Sequence, residues 1–193
     1  AEVLDSGGLL LAEAGTGTGK TLAYLLPAAE LGRRVVVSTG TKNLQEQLVQ
    51  KDIPILAQAL GRDLNVAVMK GRANYLCLLR FSSFAKAGSF RRLEEIPVYR
   101  AVEAWAPETQ TGDRAEVADM PDSVDFWREV SAASENCIGQ SCSLFESCFV
   151  TRMRQRALEA DIVVVNHHLL CADLAVKGGS YGQVIPSYDT LVL

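Results

Sequence analysis

Gly8-Leu9-Leu10-Leu11-Ala12-Glu13-Ala14-Gly15-Thr16-Gly17-Thr18-Gly19-Lys20-Thr21 is the stretch whose reading decides the fold. A short apolar run of strand length, Gly8–Ala12, leads into a glycine-rich loop, and Thr21-Leu22-Ala23-Tyr24-Leu25-Leu26 continues with helical spacing. Strand, loop and helix in that order build a phosphate-binding loop, because backbone N–H groups and a helix N-terminus then surround an anion. Ala14, Gly15, Thr16, Gly17, Thr18, Gly19, Lys20 and Thr21 are the expected nucleotide-binding residues. The glycines let the backbone approach the phosphates, Lys20 reaches the β- and γ-phosphates, and the Thr21 hydroxyl binds Mg²⁺, so Lys20 and Thr21 carry the catalytic expectation. Position 14 holds Ala where the strict pattern has Gly. Taken alone, the motif predicts binding of a nucleoside triphosphate and nothing narrower.

Working outward, continuous apolar and β-branched runs recur at Val35-Val36-Val37-Ser38, Val66-Ala67-Val68, Ile162-Val163-Val164-Val165 and Thr190-Leu191-Val192-Leu193. Runs of that kind, separated by helical stretches, predict a parallel sheet covered on both faces, hence a doubly wound α/β fold. Thr41 to Leu60 has helical spacing, with Leu44 and Leu48 expected on one apolar face. From about Gly71 to Arg156 the alternation breaks for longer than a crossover helix requires, which predicts an inserted subdomain whose middle, Ala106 to Asp125, is loop-rich.

The chain has 193 residues, 48% of them hydrophobic, and a formal net charge of −4. That supports one globular core with a modest appendage and argues against a surface that is basic throughout. No basic leader precedes an apolar segment at Ala1-Glu2-Val3-Leu4-Asp5, and no apolar run approaches the roughly 20 residues of a membrane span, so a soluble, cytoplasmic protein is expected. Charge is nonetheless uneven. Lys70, Arg72, Arg80, Lys86, Arg91 and Arg92 form a run without an acid, the following segment is acidic, and Arg152, Arg154 and Arg156 make a second basic cluster. Such clusters are ordinarily solvated faces, but these two flank cysteines.

Those cysteines are Cys77, Cys137, Cys142 and Cys148, and a phosphate loop needs none of them. An odd total of five in such a chain favours free thiols or metal ligands over a disulfide framework. Zinc sites commonly use Cys-x₂-Cys pairs, and neither short gap here has that length. The wider spacing favours a [4Fe–4S] cubane, with structural zinc and four unrelated buried cysteines as the alternatives. Cys171, in Leu169-Leu170-Cys171-Ala172, reads as a packing residue. Adjacent His167 and His168 follow a strand and point in different directions, which suits capping or packing near DNA better than a metal. Tyr75, Phe81 and Phe84 have the character of base-stacking residues, yet core packing is expected for at least two of them.

Glu13 to Thr21, Ser38-Thr39-Gly40-Thr41-Lys42-Asn43-Leu44-Gln45-Glu46-Gln47-Leu48, Lys70-Gly71-Arg72-Ala73-Asn74-Tyr75-Leu76-Cys77, Glu135-Asn136-Cys137-Ile138-Gly139-Gln140-Ser141-Cys142 and Ala160-Asp161-Ile162-Val163-Val164-Val165-Asn166-His167-His168 resemble, in order, the blocks of the iron–sulfur helicases of superfamily 2. The resemblance is to the bacterial DinG/YoaA group, related to the XPD family. It implies a RecA-like motor domain in two parts, residues 1–70 and 157–193, around a mostly helical cluster insert at 71–156. It further implies ATP, Mg²⁺ and a [4Fe–4S] cluster held by Cys77, Cys137, Cys142 and Cys148. Thr39, Gly40, Thr41 and Gln45, with Arg72, fall where DNA contacts are expected, and helix capping is the local alternative for the two threonines. The implied activity is ATP-driven movement 5′ to 3′ on single-stranded DNA and unwinding of forked DNA in repair or replication, with a protein partner from those processes. A non-catalytic DNA-binding module and a nucleotide-binding enzyme with a zinc knob are the competing readings. The family's Asp-Glu-x-His box, adenine-reading glutamine segment and second motor domain have no counterpart here, so the resemblance implies an N-terminal fragment with negligible ATPase activity of its own.

Overall fold

The computed structural model describes residues 2–15, 17–121, 123–133, 135, 137–177 and 183–193. Two compact units emerge, one formed by Ala1–Met69 with Arg156–Leu193 and the other by Lys70–Gln155.

The first unit is built on four parallel strands: β1 (Val35–Thr39), β2 (Val66–Val68), β3 (Ile162–Asn166) and β4 (Thr190–Val192). Their spatial order is β2-β3-β1-β4, and β1 pairs with β3 in the register Val35–Ile162 through Thr39–Asn166. Val35, Val37, Ile162 and Val164 face one way and join a core with Leu25, Ala28 and Ala29 of α2 (Lys20–Glu30) and Ile53 and Leu56 of α4 (Ile53–Leu60). Val36, Ser38, Val163 and Val165 are buried on the opposite face, and α9 (His167–Lys177) packs against β1 and β3. Cover on both faces is what makes these strands read as unbroken apolar runs. A short α1 (Glu2–Ser6) precedes them.

Three expectations need correction in this unit. Gly8–Ala12 is not a strand: Leu9, Leu10 and Leu11 are 83%, 69% and 87% exposed. Gly7 and Gly8 hold φ of +77° and +128°, which interrupts extended backbone, and among the described residues the segment gains no ladder bond to a strand. Leu44 does not share the buried face of Leu48. The helix from Lys42 divides into α3 (Lys42–Gln47), a π-turn at Leu48–Asp52 and α4, and the wide turn is closed by the Ile53 N–H donating to the Leu48 carbonyl. Across it the buried positions step from Leu48 to Ile53, and Gln45 is buried in place of Leu44. Cys171, expected among aliphatics, is exposed on α9 because the buried face there runs through Leu170 and Asp173.

The second unit contains α5 (Leu78–Ala87), α6 (Glu95–Trp105), α7 (Asp125–Val130) and the start of α8 (Phe149–Glu159). Phe81, Phe84, Phe90, Tyr99 and Phe126 form an aromatic core with ring centroids 5.2–6.1 Å apart. Buried Glu95 accepts from the Asp125 N–H at 2.6 Å, tying α6 to the first turn of α7. The loop between α6 and α7 is organised by one carboxylate: Glu116 accepts from Trp105 Nε1 and from the hydroxyls of Thr109 and Thr111. Lys70 and Asp113 form an ion pair with both side chains largely enclosed. Among the described residues, no helix is long and apolar enough to cross a membrane.

Candidate functional site

The phosphate loop enters α2 through Gly17 and Gly19, whose φ values of +77° and +80° lie in the left-handed region that favours glycine. Gly19 is the N-cap of α2 and Ala23 N–H donates to its carbonyl, so helical bonding starts directly behind the loop. Among the described residues no side chain caps this end, and no acid stands in its first turn, which leaves the dipole's positive end clear for an anion. The Lys20 ammonium folds back over the loop and donates to the carbonyls of Ala14 at 2.6 Å and Gly15 at 2.8 Å. Thr18 Oγ1 donates to the Gly15 carbonyl at 2.9 Å. Burial raises the Tyr24 pKa, the neighbouring Thr21 side chain partly offsets this, and the Asp52 charge adds to the rise. Thr16 lies outside the described residues.

Thr39, Gly40 and Thr41 connect β1 to α3 at the carboxyl end of the sheet, where parallel α/β proteins place ligands. Gly40 and Thr41 are exposed. Thr41 Oγ1 accepts from the Leu44 N–H at 3.3 Å and so caps α3, the role its local sequence offered, while Thr39 Oγ1 donates to the Thr41 carbonyl. Gln45 is 4% exposed, and its Nε2 finds no partner among the described residues. Behind this turn lies a pairing that sequence reading missed: Ser38 Oγ and His167 Nδ1 are 2.6 Å apart. The two residues are 129 positions apart in the chain and carry no shared motif, so only the β1–β3 register reveals them.

The four candidate cysteines belong to the second unit and all are free thiols. Cys77 is held firmly: its N–H donates to the Val130 carbonyl, Leu76 N–H to Gly112, and Ala132 N–H to Tyr75, while Cys77 itself N-caps α5. Cys148 heads α8, its carbonyl accepting from Arg152 N–H. Cys142 N–H closes the turn Gly139–Ser141 by donating to the Gly139 carbonyl. Burial resists ionisation of Cys137, but hydrogen bonds from the Gly139 N–H and the Arg72 guanidinium, with the charges of Arg72 and Arg154, outweigh it and lower the thiol's pKa. Arg72, expected on DNA, is half-buried, and its charge favours the Cys137 thiolate.

As a donor set, four unpaired thiols in one unit have the softness that iron–sulfur clusters and zinc select. Their side chains do not converge: among the described residues no three Cys, His, Asp or Glu side chains gather closely enough to hold a metal ion. Tyr75 and Phe84 are buried in the packing, 3% and 7% exposed, and are not stacking platforms.

Residues 1–76 match the family model for DEAD/DEAH box helicases. Nearly the whole chain is similar to parts of longer proteins. It is 40% identical over 191 residues to the ATP-dependent DNA helicase YoaA of Escherichia coli (strain K12), covering 99% of this chain and 30% of that protein. It is 40% identical to YoaA of Haemophilus influenzae (strain ATCC 51907 / DSM 11121 / KW20 / Rd), covering 95% and 29%. It is 38% identical over 216 residues to the ATP-dependent helicase DinG of Mycobacterium tuberculosis (strain ATCC 25177 / H37Ra), covering 100% and 32%. The chain thus spans about a third of the length of the curated relatives it matches.

Proposed function

We propose, from the premise that this chain is a DEAD/DEAH box helicase segment related to YoaA and DinG, that it is part of an ATP-dependent DNA helicase that moves 5′ to 3′ on a single strand and opens duplex at forks during repair or replication. The observation that carries the reading is the phosphate loop: left-handed Gly17 and Gly19 deliver the chain into an uncapped helix whose first residue is Lys20. Bound there, ATP-Mg²⁺ supplies the phosphoryl group whose transfer drives movement. The N–H groups at the start of α2 would orient the phosphates, the Lys20 ammonium would exchange the Ala14 and Gly15 carbonyls for phosphate oxygens, and the Thr21 hydroxyl would be a ligand of the metal. Thr39, Gly40, Thr41 and Gln45 hold the DNA backbone at the carboxyl end of the sheet.

Cys77, Cys137, Cys142 and Cys148 are the residues we propose to hold a [4Fe–4S] cluster, which when bound supplies covalent cross-links across a unit rich in loops. Gathering the thiols around it requires local movement of their side chains, since they do not converge in this structure. Two supports favour the proposal: all four thiols are free and share one unit, and one of them has its ionised form stabilised by two arginines. Anaerobic purification followed by iron and acid-labile sulfide assay tests the cluster. Stoichiometric iron and sulfide is expected; zinc alone, or no metal, sinks it. Calorimetric titration with ATP-Mg²⁺ tests the loop separately, and an absence of binding by a folded chain refutes the nucleotide reading.

A further inference from the structure

We infer that His167 is a nucleic-acid-binding residue, donating from Nε2 to a backbone phosphate of the strand that lies on the Thr39–Gly40–Thr41 turn. The inference rests on the proposed role of that turn and adds a contact from a different element. Thr39 pairs with Asn166 at the last position of the β1–β3 ladder, so Gly40 and His167 leave adjacent strands side by side. The ring edge is close: Cδ2 and Nε2 of His167 both lie 3.7 Å from the point where a Cβ on Gly40 would stand.

The tautomer follows from hydrogen-bond accounting. Ser38 is 3% exposed, and a buried hydroxyl that fails to donate is costly. Its side-chain partner is His167 Nδ1, at 2.6 Å, so Ser38 donates, Nδ1 accepts, and the neutral ring carries its proton on Nε2. His167 is itself exposed, which presents that N–H to the surface beside the exposed Gly40. Asn166 fixes the ring's base, since its Oδ1 accepts from the Leu169 N–H and caps α9. A hydroxyl-anchored imidazole N–H beside an exposed glycine suits an anionic, repeating acceptor such as a phosphodiester backbone.

The test is fluorescence anisotropy of a labelled oligo-dT strand titrated at low salt with the 193-residue chain and with His167→Phe, His167→Gln, Ser38→Ala and Thr39→Ala. Phe keeps an aromatic ring but removes both nitrogens, the Nε2 donor and the Nδ1 partner of Ser38, and about fivefold weaker binding is expected from loss of one hydrogen bond to a charged acceptor. Gln restores an N–H at similar reach, so its affinity should return to within about twofold of wild type. Ser38→Ala, which unpins the tautomer, should fall between. Wild-type affinity for His167→Phe, or equal weakening by Phe and Gln, overturns the inference. Thr39→Ala separates the two levels: if it weakens binding while His167→Phe does not, only the His167 contact fails. If neither variant changes affinity, or the folded chain binds no strand, the reading of the turn fails and takes this inference with it.

Discussion

Replacing Gly112 by Ala should destabilise the second unit severely. Gly112 has φ of +68°, and an added Cβ would stand 2.2 Å from Cγ and Cδ2 of Phe149, far inside contact distance. Two costs follow. A non-glycine residue in the left-handed region costs about 1–2 kcal/mol, and forcing a methyl group into a packed site costs about 1–3 kcal/mol. Phe149 is only 4% exposed, so it cannot swing aside without surrendering its own burial. The sum, about 2–5 kcal/mol, is a large share of the roughly 5–15 kcal/mol that holds a domain together. The damage also falls where it matters, since the Gly112 carbonyl accepts from Leu76, next to Cys77, and Phe149 follows Cys148. Both tryptophans, Trp105 and Trp127, lie in this unit, so equilibrium urea unfolding followed by tryptophan fluorescence reports on it selectively. In a Phe149→Ala background the ring clash is gone and only the 2.8 Å contact with the Cβ at 149 remains, so Gly112→Ala should cost clearly less there, approaching the backbone part of about 1–2 kcal/mol. A single-mutant effect below about 1 kcal/mol, or the same cost in both backgrounds, refutes the reasoning.

Cys142→Ser should abolish iron and sulfide retention after anaerobic reconstitution, whereas Cys171→Ser, on the exposed face of α9, should retain both; the visible absorbance of the two variants is the measurement. Lys20→Ala should weaken ATP binding about tenfold or more by calorimetry, through loss of a charged phosphate donor, while leaving the thermal melt nearly unchanged because the side chain is exposed. Glu116 titrates below the usual carboxylate range: burial pushes it up, but the Thr109, Thr111 and Trp105 hydrogen bonds and the Lys70 charge outweigh that. A depressed folded-state pKa contributes stability that is complete above the unfolded value, about 4.3, and is lost as pH falls through the folded value below it. Urea midpoints of the wild type should therefore drop more steeply below about pH 4.3 than those of Glu116→Gln, and parallel pH curves would refute the assignment.

The sheet was legible because its central strands β1 and β3 are covered on both faces and read as unbroken apolar runs, while the half-buried edge strands β2 and β4 keep the same β-branched and apolar composition. The phosphate loop was legible because its spacing is local and each residue type has a mechanical reason to be there. Gly8–Ala12 misled for the complementary reason: apolar composition states a preference for burial, not the presence of a neighbouring edge to pair with. Arg72 sits in a basic run that reads as nucleic-acid binding, and nothing local announces that its charge acts on Cys137, 65 positions along the chain. The Ser38–His167 bond is likewise a product of strand order, which periodicity does not encode.

The π-turn at Leu48–Asp52 has a consequence for how the first unit aims its helix end. Each residue advances an α-helix by about 100°, so one surplus residue resets the azimuth of everything on its amino-terminal side by that angle. Winding Leu48–Asp52 as regular α-helix with every residue kept would roll Gln45 off the buried face and bring Glu46 toward it, and would swing the Thr41 cap away from the end of β1. The turn therefore works as a phase adjuster, reconciling the aliphatic seating of Ile53 and Leu56 with a polar heading at the tip, two demands that a regular spiral of this sequence could not meet together.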